Sequence, residues 1–264
     1  MIKTRVARQV PGDNLYFGHS TLTDLLGRET LTGLMAMAAM GRQPSEAERV
    51  VLDAIAVAST SADPRIWPLK LTRLVASYGG TLAGFGAGQL AMEGKSIGPW
   101  TVGAAAEELA SLRDLLGEHF DDADAVQAAV RQRVERRPRM AGYGVPFRER
   151  DERMEALRKQ VSDLGRDRLP FWTLQEALSV GMKEKWGAAP NMAIGGSAVL
   201  LDLGCTPRQA AALAAFLNQN VFAANAFEAA QQRSPLMQRL PDACVDYVGP
   251  APRTTPRAAA VNKP

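Results

Sequence analysis

The sequence predicts an all-α protein, on three observations. Apolar residues recur at helical spacing along most of the 264 residues, as in Leu22, Leu25, Leu26, Leu31, Leu34 and Met35. Helix starts are written locally. In Pro44-Ser45-Glu46-Ala47-Glu48 the serine is placed to cap, and Glu48 three residues on completes a capping box. Period-two strand patterns are few, and there is no internal repeat.

Residues 1–20 read as short polar, β-leaning pieces broken by Pro11-Gly12 and Gly18. A helical pattern interrupted by Gly27 and Gly33 follows, then the capped helix to about Ser59. Asp63-Pro64 opens another helix through Leu69, Leu74 and Val75, and Gly79-Gly80 leads into a small-residue helix from Leu82 to Met92. There Gly84, Gly86 and Gly88 permit close approach of a neighbouring helix. Further helices are expected at 101–117, 121–133, 151–164, 171–186 and 192–203. A long Ala-rich helix runs from Pro207 to about Gln232, and Pro235, Pro241, Pro250, Pro252 and Pro256 mark an extended tail.

Composition narrows the class. Hydrophobic residues make up 46%, ample for a core, and a net charge of +3 does not by itself point to nucleic acid. Cys205 and Cys244 are far apart and give no metal spacing or disulfide framework, so a reducing cytoplasm and no metal are expected. There is no signal-peptide h-region and no stretch of eighteen uncharged apolar residues, so no membrane association is expected.

The chain is organised around the stretch from Met140 to Met154. Gly142 and Gly144 flank Tyr143, and Arg148, Arg150 and Arg153 follow. Glycine lets a backbone approach a ligand closely, and the guanidinium fork suits phosphates and carboxylates. A solvated basic turn has the same composition. A second basic cluster, Arg131, Arg133, Arg136, Arg137 and Arg139, lacks the aromatic platform or recognised module of a nucleic-acid site.

This stretch resembles the Gly-Phe/Tyr-Gly-His…Asp-Pro-Arg signature of the citrate synthase and citryl-CoA lyase family. Other segments are similar to family motifs in the same order. They are Gly41 to Glu46, Asp63 with Arg73, Ala76 and Ser77, Gly98 to Ala104, Pro190 to Ala193, Phe222 to Glu228, and Tyr247 to Pro250. The resemblance implies a citrate synthase-like two-domain helical fold. A large domain would comprise 1–103 and 191–264, and a small CoA-side domain 104–190 would be inserted in it. It further implies a homodimer with its active site in the cleft between domains, and a coenzyme A thioester as substrate.

Family members make or break a carbon–carbon bond beside a thioester, which needs a carboxylate base and hydrogen-bond donors to the developing enolate and the ketone. The family's Asp falls on Ala193, its two catalytic His on Thr101 and Val145, and a binding His on Asn225. The resemblance therefore implies a diverged active site. Its catalytic candidates are Asp63, Thr101, Asn191 and Glu228. Arg153, Arg239 and Asn225 would bind the carboxylate substrate, and Gly142, Tyr143, Gly144, Arg148 and Arg150 the nucleotide. Replacing Arg153 is expected to weaken ligand binding with little change in melting temperature. Two readings follow: an enzyme acting on an acyl-CoA or carboxylic acid through a non-standard residue set, or a non-catalytic subunit pairing with an active paralogue.

Overall fold

A computed structural model describes residues 1–60, 63–95, 97–145, 149–232 and 241–250. The β-leaning start is a three-stranded antiparallel meander of β1 (Ala7–Val10), β2 (Asp13–Tyr16) and β3 (His19–Ser20), with Ala7 opposite Tyr16 and Leu15 opposite Ser20. Its reversals fall at Gly12 and Gly18, both at positive φ. One π-helical turn, Thr21–Leu25, follows, and Gly27 at φ +74° separates it from α1 (Leu31–Met40).

The remaining described residues are helical in the main. They form α2 (Glu46–Ala58), α3 (Trp67–Gly79), α4 (Thr81–Ala91), α5 (Gly98–Leu116), α6 (Ala123–Arg136), α7 (Glu152–Asp163), α8 (Pro170–Trp186), α9 (Met192–Asp202), α10 (Pro207–Leu217) and α11 (Gln219–Ala229). The capping box forms at α2 as its sequence requires: Glu48 N donates to Ser45 Oγ, and Ser45 N to Glu48 Oε2. Thr206 and Gln209 build a second one at α10. The expected single Ala-rich helix is instead two. Asn218 (φ −94°, ψ 0°) leaves helical geometry and turns its Nδ2 back onto Ala214 O at 2.7 Å, so α10 stops and α11 starts anew.

Among the described residues, buried apolar side chains fall into one large cluster and two small ones. The large cluster joins α1 and α2 to α5 through α10, with Leu52, Leu109, Leu112, Leu157, Leu178 and Leu200 fully buried. The small ones lie where α3, α4 and α11 pack on one another, around Leu69, Met92 and Phe222 and around Ala76 and Ala226. Gly84 and Gly88 permit that packing: a methyl group on Gly84 would lie 2.6 Å from Thr72 O, and one on Gly88 2.6 Å from Phe222. Gly86 has open space and takes no part.

The first turn of α5 is the junction of these two packing units. Gly98 sits against the Met92 side chain on one side, and Gly103 approaches Ala211 of α10 on the other.

Candidate active site

Three segments far apart in sequence meet near that junction. Ser197 Oγ of α9 lies 2.8 Å from Val102 O and 2.6 Å from Ala193 O, so its proton ties the first turn of α5 to the first turn of α9. Thr101 and Ala193 are therefore held on adjoining turns. The Gly142–Gly144 loop closes on the same place. Asn191 N donates to Gly142 O (2.9 Å), Asn191 Nδ2 to Gly144 O (2.9 Å), and Gly144 N to Ala189 O (2.8 Å). Asn191 Oδ1 meanwhile caps α9 by accepting Ala193 N at 2.9 Å.

Gly142 must be glycine. Its φ is +88°, and a Cβ would stand 2.6 Å from Ile194 Cβ. Gly144 shares the φ of +88° but faces open space. Between them Tyr143 points inward, its hydroxyl 3.2 Å from Ser179 Oγ on α8. Burial pushes its phenol well above the usual tyrosine range, so it stays a neutral hydrogen-bonding group.

Asp151 anchors the other side. Its buried carboxylate accepts Arg153 Nε (2.9 Å) and Nη2 (2.8 Å), Arg153 N (3.1 Å) and Met192 N (2.9 Å). One side chain thus caps α7, caps α9 and pairs with Arg153. Burial acts to raise the Asp151 carboxyl, but the bonds from Arg153 and Met192 N outweigh it and hold it below the ordinary aspartate value. The Arg153 guanidinium is raised by the same pair. It remains partly exposed, at 31%, with Asp151 already on its fork.

The other candidates make contacts of their own. Asn225 and Glu228 project from α11 toward Arg73 of α3, whose Nη1 donates to Asn225 Oδ1 (3.1 Å) and Glu228 Oε2 (2.5 Å). Asp63 sits before α3 and pairs with Arg65 at 2.6 Å. Arg150 is exposed and 3.3 Å from Glu155. Arg148 and Arg239 lie outside the described residues. The sequence reading missed Asp151 as the anchor and Arg73 as the hub of the α3–α11 pair. Asp151 stood beside Arg153 in the motif, but its contact with Met192 spans 41 residues and leaves no local signal.

Chemically, the junction offers hydrogen-bonding groups rather than a free base. Thr101 and Asn191 supply a hydroxyl and an amide. The α5 N-terminus carries no side-chain cap, so the positive end of its dipole is available to an anion. Among the described residues no cluster of His, Cys, Asp and Glu is arranged to hold a metal ion. No helix among them is long and apolar enough to cross a membrane.

This architecture is a citrate synthase-like helical fold. It matches a citryl-CoA lyase from Hydrogenobacter thermophilus with a TM-score of 0.79 at 18% identity, over 98% of this chain and 99% of that one. It also matches an ATP citrate lyase from Methanothrix soehngenii, solved with citrate and coenzyme A, at a TM-score of 0.75 and 15% identity. That match covers 95% of this chain and 42% of the other. A citrate synthase from Thermoplasma acidophilum, solved with carboxymethyl coenzyme A and oxaloacetate, matches at 0.62 and 18% identity over 85% and 58%. No protein-family model matches the sequence. No curated protein matches it either.

Proposed function

We propose that the protein acts on an acyl-CoA and a carboxylic acid, making or breaking a carbon–carbon bond beside the thioester with a residue set of its own. The observation that carries this is the convergence of the Gly142–Gly144 loop, the uncapped start of α5 and the start of α9, in a fold that matches a citryl-CoA lyase from end to end. Two of the matched proteins hold coenzyme A or its carboxymethyl derivative together with a carboxylate.

In this reading Thr101, Asn191 and the first amides of α5 donate to the oxygen that becomes an enolate, which lowers the barrier to removing the α-proton. Arg148, Arg150 and the Gly142–Gly144 backbone bind the nucleotide, and Arg239, Asn225 and Arg153 bind the carboxylate. Glu228 or Asp63 is the base. Each already stands in an ion pair with an arginine. Ordinary citrate synthesis is therefore not expected. The protein works as a homodimer in this reading, since α3, α4 and α11 present Tyr78, Leu82, Leu90 and Phe227 exposed.

A second reading, a non-catalytic binding subunit, is favoured by one observation. Asp151, the carboxylate that bonds to the start of α9, is committed to structure. Turnover assays with citryl-CoA, with acetyl-CoA and oxaloacetate, and with other CoA thioesters paired with di- and tricarboxylates distinguish the two. Turnover of a substrate other than acetyl-CoA and oxaloacetate supports the enzyme. Binding without turnover supports the subunit, and citrate formed at an ordinary synthase rate overturns the proposed residue roles.

A further inference from the structure

A cavity of about 320 Å³ opens at the other end of α6 and α8. The two helices run parallel. Gly181 of α8 packs against Val130 and Val134 of α6, and Trp186 Nε1 donates to Val134 O, so their C-terminal ends lie together toward residues 137–145 and their N-terminal ends together around the cavity. Its walls include Phe120, Asp121, Val126, Arg168, Thr173 and Leu174, none of which belongs to the candidate active site.

The helix ends themselves are already satisfied. Asp122 accepts Asp124 N and Ala125 N of α6, and Asp202 accepts Phe171 N and Trp172 N of α8. What remains in the wall is a carboxylate, Asp121, and a guanidinium, Arg168. Among the described residues neither side chain has a hydrogen-bond or ion-pair partner, and the two do not pair with each other. Opposite charges that share one cavity without meeting suit a ligand that carries both charges itself. The same cavity is lined by the apolar side chains of Phe120, Val126 and Leu174. Thr173 donates its hydroxyl proton to Pro170 O, which leaves its oxygen free to accept.

We propose that this cavity binds a free α-amino acid with a medium-sized apolar side chain. Its carboxylate meets Arg168, its ammonium meets Asp121 and the Thr173 oxygen, and its side chain lies on Phe120, Val126 and Leu174. The volume stands at the small end of ligand pockets, about 300–1,000 Å³. The site is separate from the proposed CoA chemistry and stands or falls without it.

Titration calorimetry of the full chain with L-leucine, 3-methylbutylamine and 4-methylpentanoate tests this. L-Leucine is expected to bind saturably, and each analogue, lacking one charge, about tenfold more weakly. Arg168→Ala and Asp121→Ala are each expected to weaken L-leucine binding about tenfold. Both side chains are exposed, so the unfolding curves should be unchanged and a lost signal is not lost folding. No saturable binding of L-leucine, analogues binding as well as L-leucine, or a double variant binding like the wild type would each overturn the proposal.

Discussion

The carboxylate of Asp151 grips the guanidinium of Arg153 at two points, Oδ1 to Nε at 2.9 Å and Oδ2 to Nη2 at 2.8 Å, while Oδ2 also accepts Met192 N from the start of α9. Arg153 is therefore a structural partner as well as a candidate substrate arginine. This geometry argues against the expectation that its removal changes the melting temperature little. Arg153→Ala takes both guanidinium bonds from a carboxylate that is 1% exposed and leaves it only backbone donors, at a cost of about 1–3 kcal/mol. In a chain of this size that lowers the melting temperature by several degrees. Asp151→Ala, which also uncaps two helices, should cost more. Urea titration of both variants checks this, and an unchanged midpoint for Arg153→Ala would show that the pair contributes nothing.

Gly142 and Gly144 share a φ of +88° but differ in surroundings. Alanine at 144 should cost about 1–2 kcal/mol, the left-handed backbone penalty alone. Alanine at 142 adds a collision with Ile194 and should cost clearly more, with displacement of the loop from α9. Equal losses in thermal melts would mean that the approach to Ile194 is easily relaxed.

Two carboxylates pull the pH dependence of stability in opposite directions. Hydrogen bonds from Arg42 hold Glu48 down at about 2 against 4.5 unperturbed, so its contribution is present above pH 4.5 and is lost as pH falls toward 2. Burial pushes Asp202 up to about 6 from 3.8, so its contribution is full below pH 3.8 and is lost as pH rises through 6. Glu48→Gln should flatten the acid limb of the stability–pH curve. Asp202→Asn should remove the downward slope between about pH 4 and 6. Denaturant midpoints across pH 2–8 read both, and an Asp202→Asn curve parallel to the wild type would contradict the second.

Leu82 is 85% exposed on α4, so Leu82→Glu should change the stability of an isolated chain by no more than about 0.5 kcal/mol. If α3, α4 and α11 form the dimer surface, the same substitution should shift the protein to a monomer in light scattering. A wild-type monomer, or a variant that stays dimeric, would place the contact elsewhere or remove it.

The sequence by itself determined the features held by near neighbours in the chain. The capping boxes of Ser45 with Glu48 and of Thr206 with Gln209 close over three residues. The glycines at 12, 18, 27 and 142 mark reversals because only they take positive φ without strain. Helical apolar spacing fixed the class, and the motif order pointed to the fold that the structural matches show. Tertiary structure decided what depends on partners distant in sequence. Asp151 acquires its second helix from 41 residues away, Arg73 finds Asn225 and Glu228 from 152 and 155 away, and α1 and α2 join the core of α5 through α10. It also decided that Asp63 and Glu228 stand beside arginines, and that Asp121 and Arg168 share a cavity without pairing. A carboxylate's partner is set by which surfaces pack together, and that packing is the outcome of many weak apolar contacts that no single residue spells out.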